Sequence, residues 1–396
     1  MRVLLSCLQG MRRHDIPAHA FWRDYFVRGA EEAGWGVLEV PEVDWAEGIT
    51  DLPPDGLEKW KSRAWERTLN FARAEHQSGG IDLFIGYLYP QQVEPGAIAE
   101  LKRIGIPCVN FFCDNVREFR RVPEPYRGFD LHWVPESEAL PMYAAAGMPY
   151  LHAPMPCWVR EDLRKVPERE TEPPTFLGSA DILRRQLLGG ALESGARFIL
   201  RGPGWAGDAP RPAVRPKGGL LRNQIDLVQR HGFNALFAKV ADRLCPIVSP
   251  EIDTGFIAQP VFGEDYIRVT RESAVTLGVN RVPAARRPLA QPLSYSRLRD
   301  IEAPMLGACY LTEHCEGVSR LYDVGREIET YRTPAELADK LGELTADLSR
   351  RQALRRRAQE RALRDHSVPV TLGRIRERLG LGGPSGIRVP ASRHSS

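Results

Sequence analysis

Apolar and polar positions alternate between two periods along this chain. Arg2 to Leu8 is a short apolar run that reads as a buried strand. From Ala20 to Gly34 the apolar residues Phe21, Tyr25, Phe26 and Ala30 recur at helical spacing, with Gly34 as the stop. Trp35 to Val40 is the next strand, and Leu57 to His76 a polar helix carrying tryptophans. Strands follow at Ile81 to Leu88, Pro107 to Cys113, Asp130 to Pro135 and Tyr150 to Pro154, with helices at Pro95 to Ile104 and Ser137 to Gly147. Short apolar strands alternating with helices predict a parallel sheet covered on both faces, a Rossmann-like domain over residues 1–158.

The charged, proline-bearing stretch EDLRKVPERETEPP predicts a solvated linker over 159–174. A second βα series follows over 175–366. Its strands are expected at Thr175 to Leu177, Arg197 to Arg201, Ser273 to Val279 and Ala308 to Thr312. Its helices are expected at Ile182 to Ser194, around Tyr266 to Thr270, at Asp300 to Leu306, and after Thr333, where Thr333, Pro334 and Glu336 form a capping box. Arg350 to His366 is a basic helix, read as a solvated face. Residues 208–244 form an insertion, proline- and glycine-rich at first. They then carry Leu221, Ile225, Val228, Leu236, Val240 and Leu244 at the spacing of an amphipathic helix or helix pair. A packed insertion is the simpler account of this element; contact with an acceptor or a membrane surface is the sharper one. A final helix lies within 367–380, and 381–396 is a Gly-, Ser- and Pro-rich tail.

Composition narrows the classes. The chain has 396 residues, and at about 150 per domain two or three domains are expected. Lys and Arg number 54 against 51 Asp and Glu, a net charge of +3, which gives no electrostatic reason to expect a nucleic-acid partner. No apolar run approaches the roughly 18 residues of a membrane span, and the N-terminus reads as a strand rather than a secretory signal. A cytoplasmic location is expected. The seven cysteines are irregularly spaced with no CxxC pair, which fits neither a disulfide framework nor a metal site. His314-Cys315 is the nearest approach to a metal motif and has no second pair.

Three segments could carry chemistry. In open α/β sheets the ligand lies beyond the carboxyl ends of the strands. Gly178-Ser179, followed by Arg184 and Arg185, is a strand–glycine–helix turn of the kind that accepts an anion, and Gly202-Pro203-Gly204 is another. Neither matches GxGxxG or the P-loop. From Ser273 to Arg299 there is no Asp or Glu but there are five arginines, at 281, 286, 287, 297 and 299. Guanidinium groups without nearby acids suit a diphosphate. Arg286 and Arg287 are read as a solvated loop, Arg297 and Arg299 as the functional pair. Glu302 then sits in a helix ahead of the Gly307 turn, where a carboxylate could accept the hydroxyls of a ribose.

The ordered run of segments resembles a known family. SRLRDIEAPMLGACYLTE, from Ser296 to Glu313, resembles a signature of CgeB-like glycosyltransferases. LYDVGREIETYRTPAELADKL, TFLGSADILRRQLLGGAL and YIRVTRESAVTLGVN are similar to further segments of that family, and FFCDN to a segment of its relatives. The resemblance covers most of Thr175 to His366 and is topological before Cys157. It implies the GT-B fold, two facing Rossmann-like domains with a cleft between them, and a last helix that crosses back to the first domain. It implies transfer of a sugar from a nucleotide-diphosphate sugar to an acceptor hydroxyl, with no metal and no cofactor. Glu302 matches the donor-ribose glutamate. Gly178, Ser179, Arg184, Arg185, Gly202, Gly204, Arg297, Arg299 and Gly307 fall near the expected diphosphate and nucleotide site. Many retaining relatives carry a second glutamate eight positions earlier; here that residue is Ser294, so the stereochemical outcome stays open. An inverting reaction would need a base on the acceptor side, for which Asp114, His14 and His19 are the candidates. A sugar-nucleotide epimerase of the same architecture and a non-catalytic two-lobed binding protein are the alternatives.

Overall fold

In the computed structural model, which describes residues 1–10, 14, 19–206 and 232–382, two six-stranded sheets carry the chain. The first contains β1 (Arg2–Cys7), β2 (Gly36–Glu39), β3 (Leu83–Tyr87), β4 (Cys108–Phe111), β5 (Leu131–Val134) and β6 (Tyr150–His152), in the order β2-β1-β3-β4-β5-β6. The second contains β7 (Thr175–Leu177), β8 (Ile199–Arg201), β9 (Ile257–Ala258), β10 (Thr276–Gly278), β13 (Tyr310–Glu313) and β14 (Glu329–Tyr331), in the order β14-β13-β10-β7-β8-β9. Between β10 and β13, β11 (Arg281–Val282) and β12 (Leu293–Ser294) form a small antiparallel ribbon. All pairs within the two large sheets are parallel. Renumbered from its own first strand, the second sheet reads 3-2-1-4-5-6, the strand order of a dinucleotide-binding Rossmann sheet. Strand order therefore reverses between β7 and β10, and between β1 and β3 in the first sheet. Crevices open at such points beyond the strands' carboxyl ends. The architecture is GT-B.

Each sheet has its own core. The first is aromatic: Trp22, Phe111, Phe26 and Trp133 meet in series, tilted at the first contact and edge-on at the next two, and Trp45 packs against Trp60 and Trp65. The second is built on Phe176, Leu187, Leu188, Leu277 and Leu311. The helix Val368–Arg378 places Val368, Leu372 and Ile375 in the first core rather than the second. It lies so close to the helix His19–Glu32 that a Cβ on Gly29 would sit 2.4 Å from Val368.

Charge burial departs from the sequence expectations in two places. The stretch 159–174 is pinned rather than freely solvated. Its Glu170 accepts from Arg351 (3.0 and 2.6 Å) and from Arg355 (3.2 Å). Arg351 and Arg355 lie on the helix Leu348–Asp365, expected to be a solvated face, yet they are 7% and 0% exposed. Arg355 also donates to the carbonyls of Arg271 and Gly307, at 2.7 and 3.0 Å. Paired with a carboxylate and several carbonyls, a guanidinium can be buried where an unpaired one could not. The Thr333 cap also differs. Its side chain accepts from the Glu336 amide as expected, but the Glu336 carboxylate reaches the amide of Arg332 instead of that of Thr333. Of the insertion, the structure describes the helix Asn234–Leu244; Leu221, Ile225 and Val228 lie outside the described residues, as does the tail from 383.

Candidate functional site

A cavity of about 650 Å³ opens where the carboxyl ends of the two sheets face each other. The first sheet contributes Tyr87 from the end of β3, Tyr89, and Cys113 and Asp114 just past β4, with Phe21 and Trp22 from the helix behind. The second contributes Phe176 and Leu177 from β7, Leu277 and Gly278 from β10, and Arg184, Tyr266, Arg297, Arg299 and Glu302. The walls are thus aromatic, with the cations gathered on the side of the second sheet.

The helix Ile182–Glu193 begins at Asp181, whose carboxylate accepts from the amides of Leu183 and Arg184, both at 2.9 Å. That cap fixes Arg184 one turn from the β7 loop. Its guanidinium donates to the Ser179 carbonyl at 2.9 Å and lies 5.7 Å from the Phe176 ring. Arg185 points elsewhere. It donates to the carbonyls of Gly204 and Trp205 and lies 5.5 Å from the Trp205 ring, so it clamps the turn after β8. That turn presses on the β7 loop: a Cβ on Gly202, where φ is +151°, would sit 2.1 Å from the Gly178 carbonyl oxygen. The same carbonyl accepts from the Trp205 indole at 2.8 Å. Gly178, Ser179, Gly202 and Gly204 shape the two loops but do not line the cavity. Gly307 lies beyond the far end of the helix Arg299–Met305, ahead of β13, packed against Gln359 and Val166.

Arg297 and Arg299 flank the start of that helix. Arg299 donates to the Leu177 carbonyl at 3.1 Å, lies 4.8 Å from the Tyr266 ring and stands 3.8 Å from Glu302. Its Nη1 is buried with no hydrogen-bond partner. Arg297 lies 5.9 Å from the Tyr295 ring. Burial pulls the Arg184 guanidinium below its ordinary value; Asp181 opposes that pull, while Arg297 and Arg299 add to it. Three cations thus gather on one side of the cavity, and Arg297 and Arg299 raise the cost of the Arg184 charge. A bound anion would relieve them.

Glu302 is 9% exposed and joins the two halves. Its Oε1 accepts from the Tyr25 hydroxyl at 2.6 Å, and its Oε2 from the Tyr266 hydroxyl. Burial first, then the Glu302 charge, push the Tyr25 hydroxyl well above its ordinary value, so it remains a donor. Opposite, Asp114 holds a left-handed backbone at φ +64°, which costs a non-glycine residue strain, though Asp tolerates it better than most. Its carboxylate accepts from the Tyr295 hydroxyl, which reaches across from the second half. Cys113 beside it is no nucleophile: burial, then Asp114, push its thiol up, and the thiolate is the reactive form.

Of the other two base candidates, the structure describes the side chain of His14 alone. His14 pairs with Asp44 at 2.8 Å, both side chains 8% exposed, and does not line the cavity. His19 opens the first helix, and its side chain lies outside the described residues. The acid-free arginine stretch is not uniform either. Arg281 pairs with Glu313 at 2.7 Å, and Arg286, expected in a solvated loop, is half-buried and donates to the Val116 carbonyl of the other half. Sequence reasoning missed Tyr25, Tyr266 and Tyr295. Tyr25 sits on the helix face read as core, and nothing local marks its hydroxyl as a partner of Glu302. Among the described residues no three His, Cys, Asp or Glu side chains gather to hold a metal, and no helix is long and apolar enough to cross a membrane.

Comparison with known proteins agrees with this geometry. Residues 234–375 match a family model described as glycosyl transferase-like. No curated protein sequence matches the chain. Among solved structures, a sucrose-phosphate synthase from Thermosynechococcus elongatus is 14% identical, with 96% of this chain and 99% of that one covered and a TM-score of 0.55. HepE of Anabaena, in complex with UDP and glucose, is 12% identical over 96% and 99%, also at 0.55. A glycosyltransferase from Rickettsia africae is 10% identical over 95% and 97%, at 0.55. At these identities the likeness is one of fold.

Proposed function

We propose that this chain is a metal-independent glycosyltransferase of the CgeB-like group, moving a sugar from a nucleotide-diphosphate donor to an acceptor hydroxyl. The observation that carries the reading is the convergence of Arg184, Arg297 and Arg299 on one cavity wall, with one Arg299 nitrogen buried and without an acceptor. In this reading the donor diphosphate lies against those guanidiniums. Charge developing on the leaving diphosphate would meet cations already fixed in place. Glu302 accepts the ribose hydroxyls in place of one or both tyrosines. Support for the donor class comes from HepE, a protein of the same fold whose structure holds UDP and glucose.

The acceptor enters from the side of the first sheet, and Asp114 takes its proton as the oxygen attacks the anomeric carbon. The Tyr295 hydroxyl holds the Asp114 carboxylate in place. In that role the reaction is a single displacement with inversion, and a product of retained configuration would remove Asp114 from it.

Calorimetric titration of UDP, GDP and TDP and their sugars tests the donor site. One of these should bind. Arg299→Ala should weaken it by about ten- to a hundredfold, the worth of a hydrogen bond to a charged group. No binding by any of them, or equal binding by the variant, overturns the reading. Turnover of the donor without acceptor would instead indicate an epimerase.

A further inference from the structure

Past Asp114 the chain runs through the helix Asn115–Glu118 to Phe119 and Arg120. Here a second pocket of about 380 Å³ opens, lined by Arg120, Arg286 and Arg287 with Val116, Phe119, Met142 and Asn234. The arginines come from both halves of the molecule. Arg286 is held by the Val116 carbonyl, and Arg120 packs so closely on Gly232 that a Cβ there would sit 2.2 Å from its guanidinium. Neither Arg120 nor Arg287 is paired with a carboxylate of a described residue. Burial pulls the Arg286 charge down and Arg120 adds to the pull; Glu118 opposes it without lining the pocket.

Asn234 also opens the helix Asn234–Leu244, which is packed in reverse of an ordinary surface helix. Its small residues Ala235 and Ala238 face inward at 0% and 3% exposure. Asp242 is turned to the protein, accepting from the Leu289 amide at 2.7 Å. The opposite face carries Phe233, Phe237, Val240 and Leu244, exposed by 70%, 73%, 53% and 77%. Their spacing of four, three and four residues makes one continuous stripe. Val248, 80% exposed, follows it. An apolar stripe of this kind marks a contact surface rather than ordinary solvent exposure. It begins at the residue next to the arginine pocket, so an anion site and an apolar strip form one surface.

We propose that this surface docks on an anionic lipid bilayer, with a lipid phosphate among Arg120, Arg286 and Arg287 and the stripe from Phe233 to Leu244 in the acyl boundary. Charge complementarity selects this occupant. An apolar stripe alone would suit any hydrophobic partner, but one contiguous with three arginines and no lining acid suits a phosphate-bearing interface. The site needs no part of the donor reading, and its variants leave Arg184, Arg297, Arg299 and Glu302 untouched.

Flotation of the full chain with vesicles tests it, using phosphatidylcholine alone and phosphatidylcholine mixed with phosphatidylglycerol. The protein should float with the mixed vesicles only, and less so as salt is raised. The double variant Arg120→Ala/Arg287→Ala, both positions exposed, should bind about thirtyfold more weakly, at the usual contribution of a basic residue near an anionic surface. Phe237→Ser/Leu244→Ser should also release the vesicles. Nucleotide affinity should be unchanged in both variants. Equal flotation of variants and parent, or none by the parent at low salt, overturns the proposal. So does binding of soluble glycerol phosphate without vesicle binding, or a dimer that Phe237→Ser/Leu244→Ser dissolves.

Discussion

Two pairs of arginines, one buried and one half-buried at the cavity, differ in how the fold engages them. Arg351 and Arg355 lie beneath the helix Leu348–Asp365, and both reach the Glu170 carboxylate. Arg297 and Arg299 lie at the cavity, where no carboxylate is engaged as closely: Arg299 stands 3.8 Å from Glu302, and its Nη1, like Nε of Arg355, is buried without a partner. Both pairs sit in basic stretches of similar composition. What differs is how closely a carboxylate of the fold engages them. Where the carboxylate is close, the arginines are a strut between segments distant in sequence. Where the carboxylate stands farther off, the proposed reading has a ligand anion complete the pairing.

The largest expected effect breaks the strut. Glu170→Ala would leave Arg351 and Arg355 buried without a carboxylate, and removing one partner of a buried ion pair costs about 3–5 kcal/mol. Urea unfolding should show that loss, while nucleotide affinity of the remaining folded protein stays that of the parent. A loss below about 1 kcal/mol would mean that the carbonyls of Arg271 and Gly307 suffice for Arg355, and the contrast between the two pairs would fail.

The acid side of the same comparison is Glu136. Unlike Glu170 it pairs with no cation among the described residues. It is fully buried and accepts from the Asn115 amide and side chain, at 2.9 and 2.8 Å. Burial pushes its carboxyl up to about 8; the Asn115 side-chain bond opposes this and Asp114 adds to it. The folded protein therefore holds a proton that the unfolded chain releases above about 4.5. Stability from this group is greatest at low pH and falls as pH rises from about 4.5 through about 8. His132 works the other way: burial lowers it to about 4, so its contribution is lost as pH falls. The difference between the parent and Glu136→Gln isolates the first effect. Unfolding at pH 5, 6.5 and 8 should show the parent losing stability relative to the variant at each step. Parallel curves would show that Glu136 is ionised in the fold.

Much of the fold is legible in the sequence because short apolar strands and helices announce their own period. β7 is read residue for residue, Thr175 to Leu177. What is lost has a physical cause. β14 is only Glu329–Tyr331, and its Glu329 is 2% exposed only because Lys340 and Arg350 cover its charge. The ribbon strands β11 and β12 have two residues each, too few for any period. At the site, Arg184 is visible from the glycine turn after β7, Arg297 and Arg299 from the acid-free stretch they close, and Glu302 from its helix ahead of the Gly307 turn. Their partners are not. Tyr25 reaches Glu302 from 277 positions away and Tyr295 reaches Asp114 from 181 away, and no local pattern encodes such distances. Arg286 and Arg355 looked solvated for the same reason: the groups that hold them lie in other segments.

The smallest expected effect concerns Glu302, which stands between the two regimes. Its charge is answered by two hydroxyls rather than by a close cation, and one of them, that of Tyr25, comes from the other half of the molecule. A hydroxyl can be exchanged for a ribose hydroxyl with little net change, whereas a paired guanidinium cannot. Tyr25→Phe removes one of the two donors and keeps the ring that packs against Phe21, 5.5 Å away between centroids. The free protein should lose about 0.5–1.5 kcal/mol, the net worth of one hydrogen bond. If ribose replaces Tyr25 at Oε1, the bound protein loses nothing, so nucleotide affinity should rise by about two- to tenfold. Equal affinity in parent and variant would mean that Tyr25 keeps its bond when nucleotide binds. Weaker affinity would mean that the bond positions Glu302 for the ribose instead of competing with it.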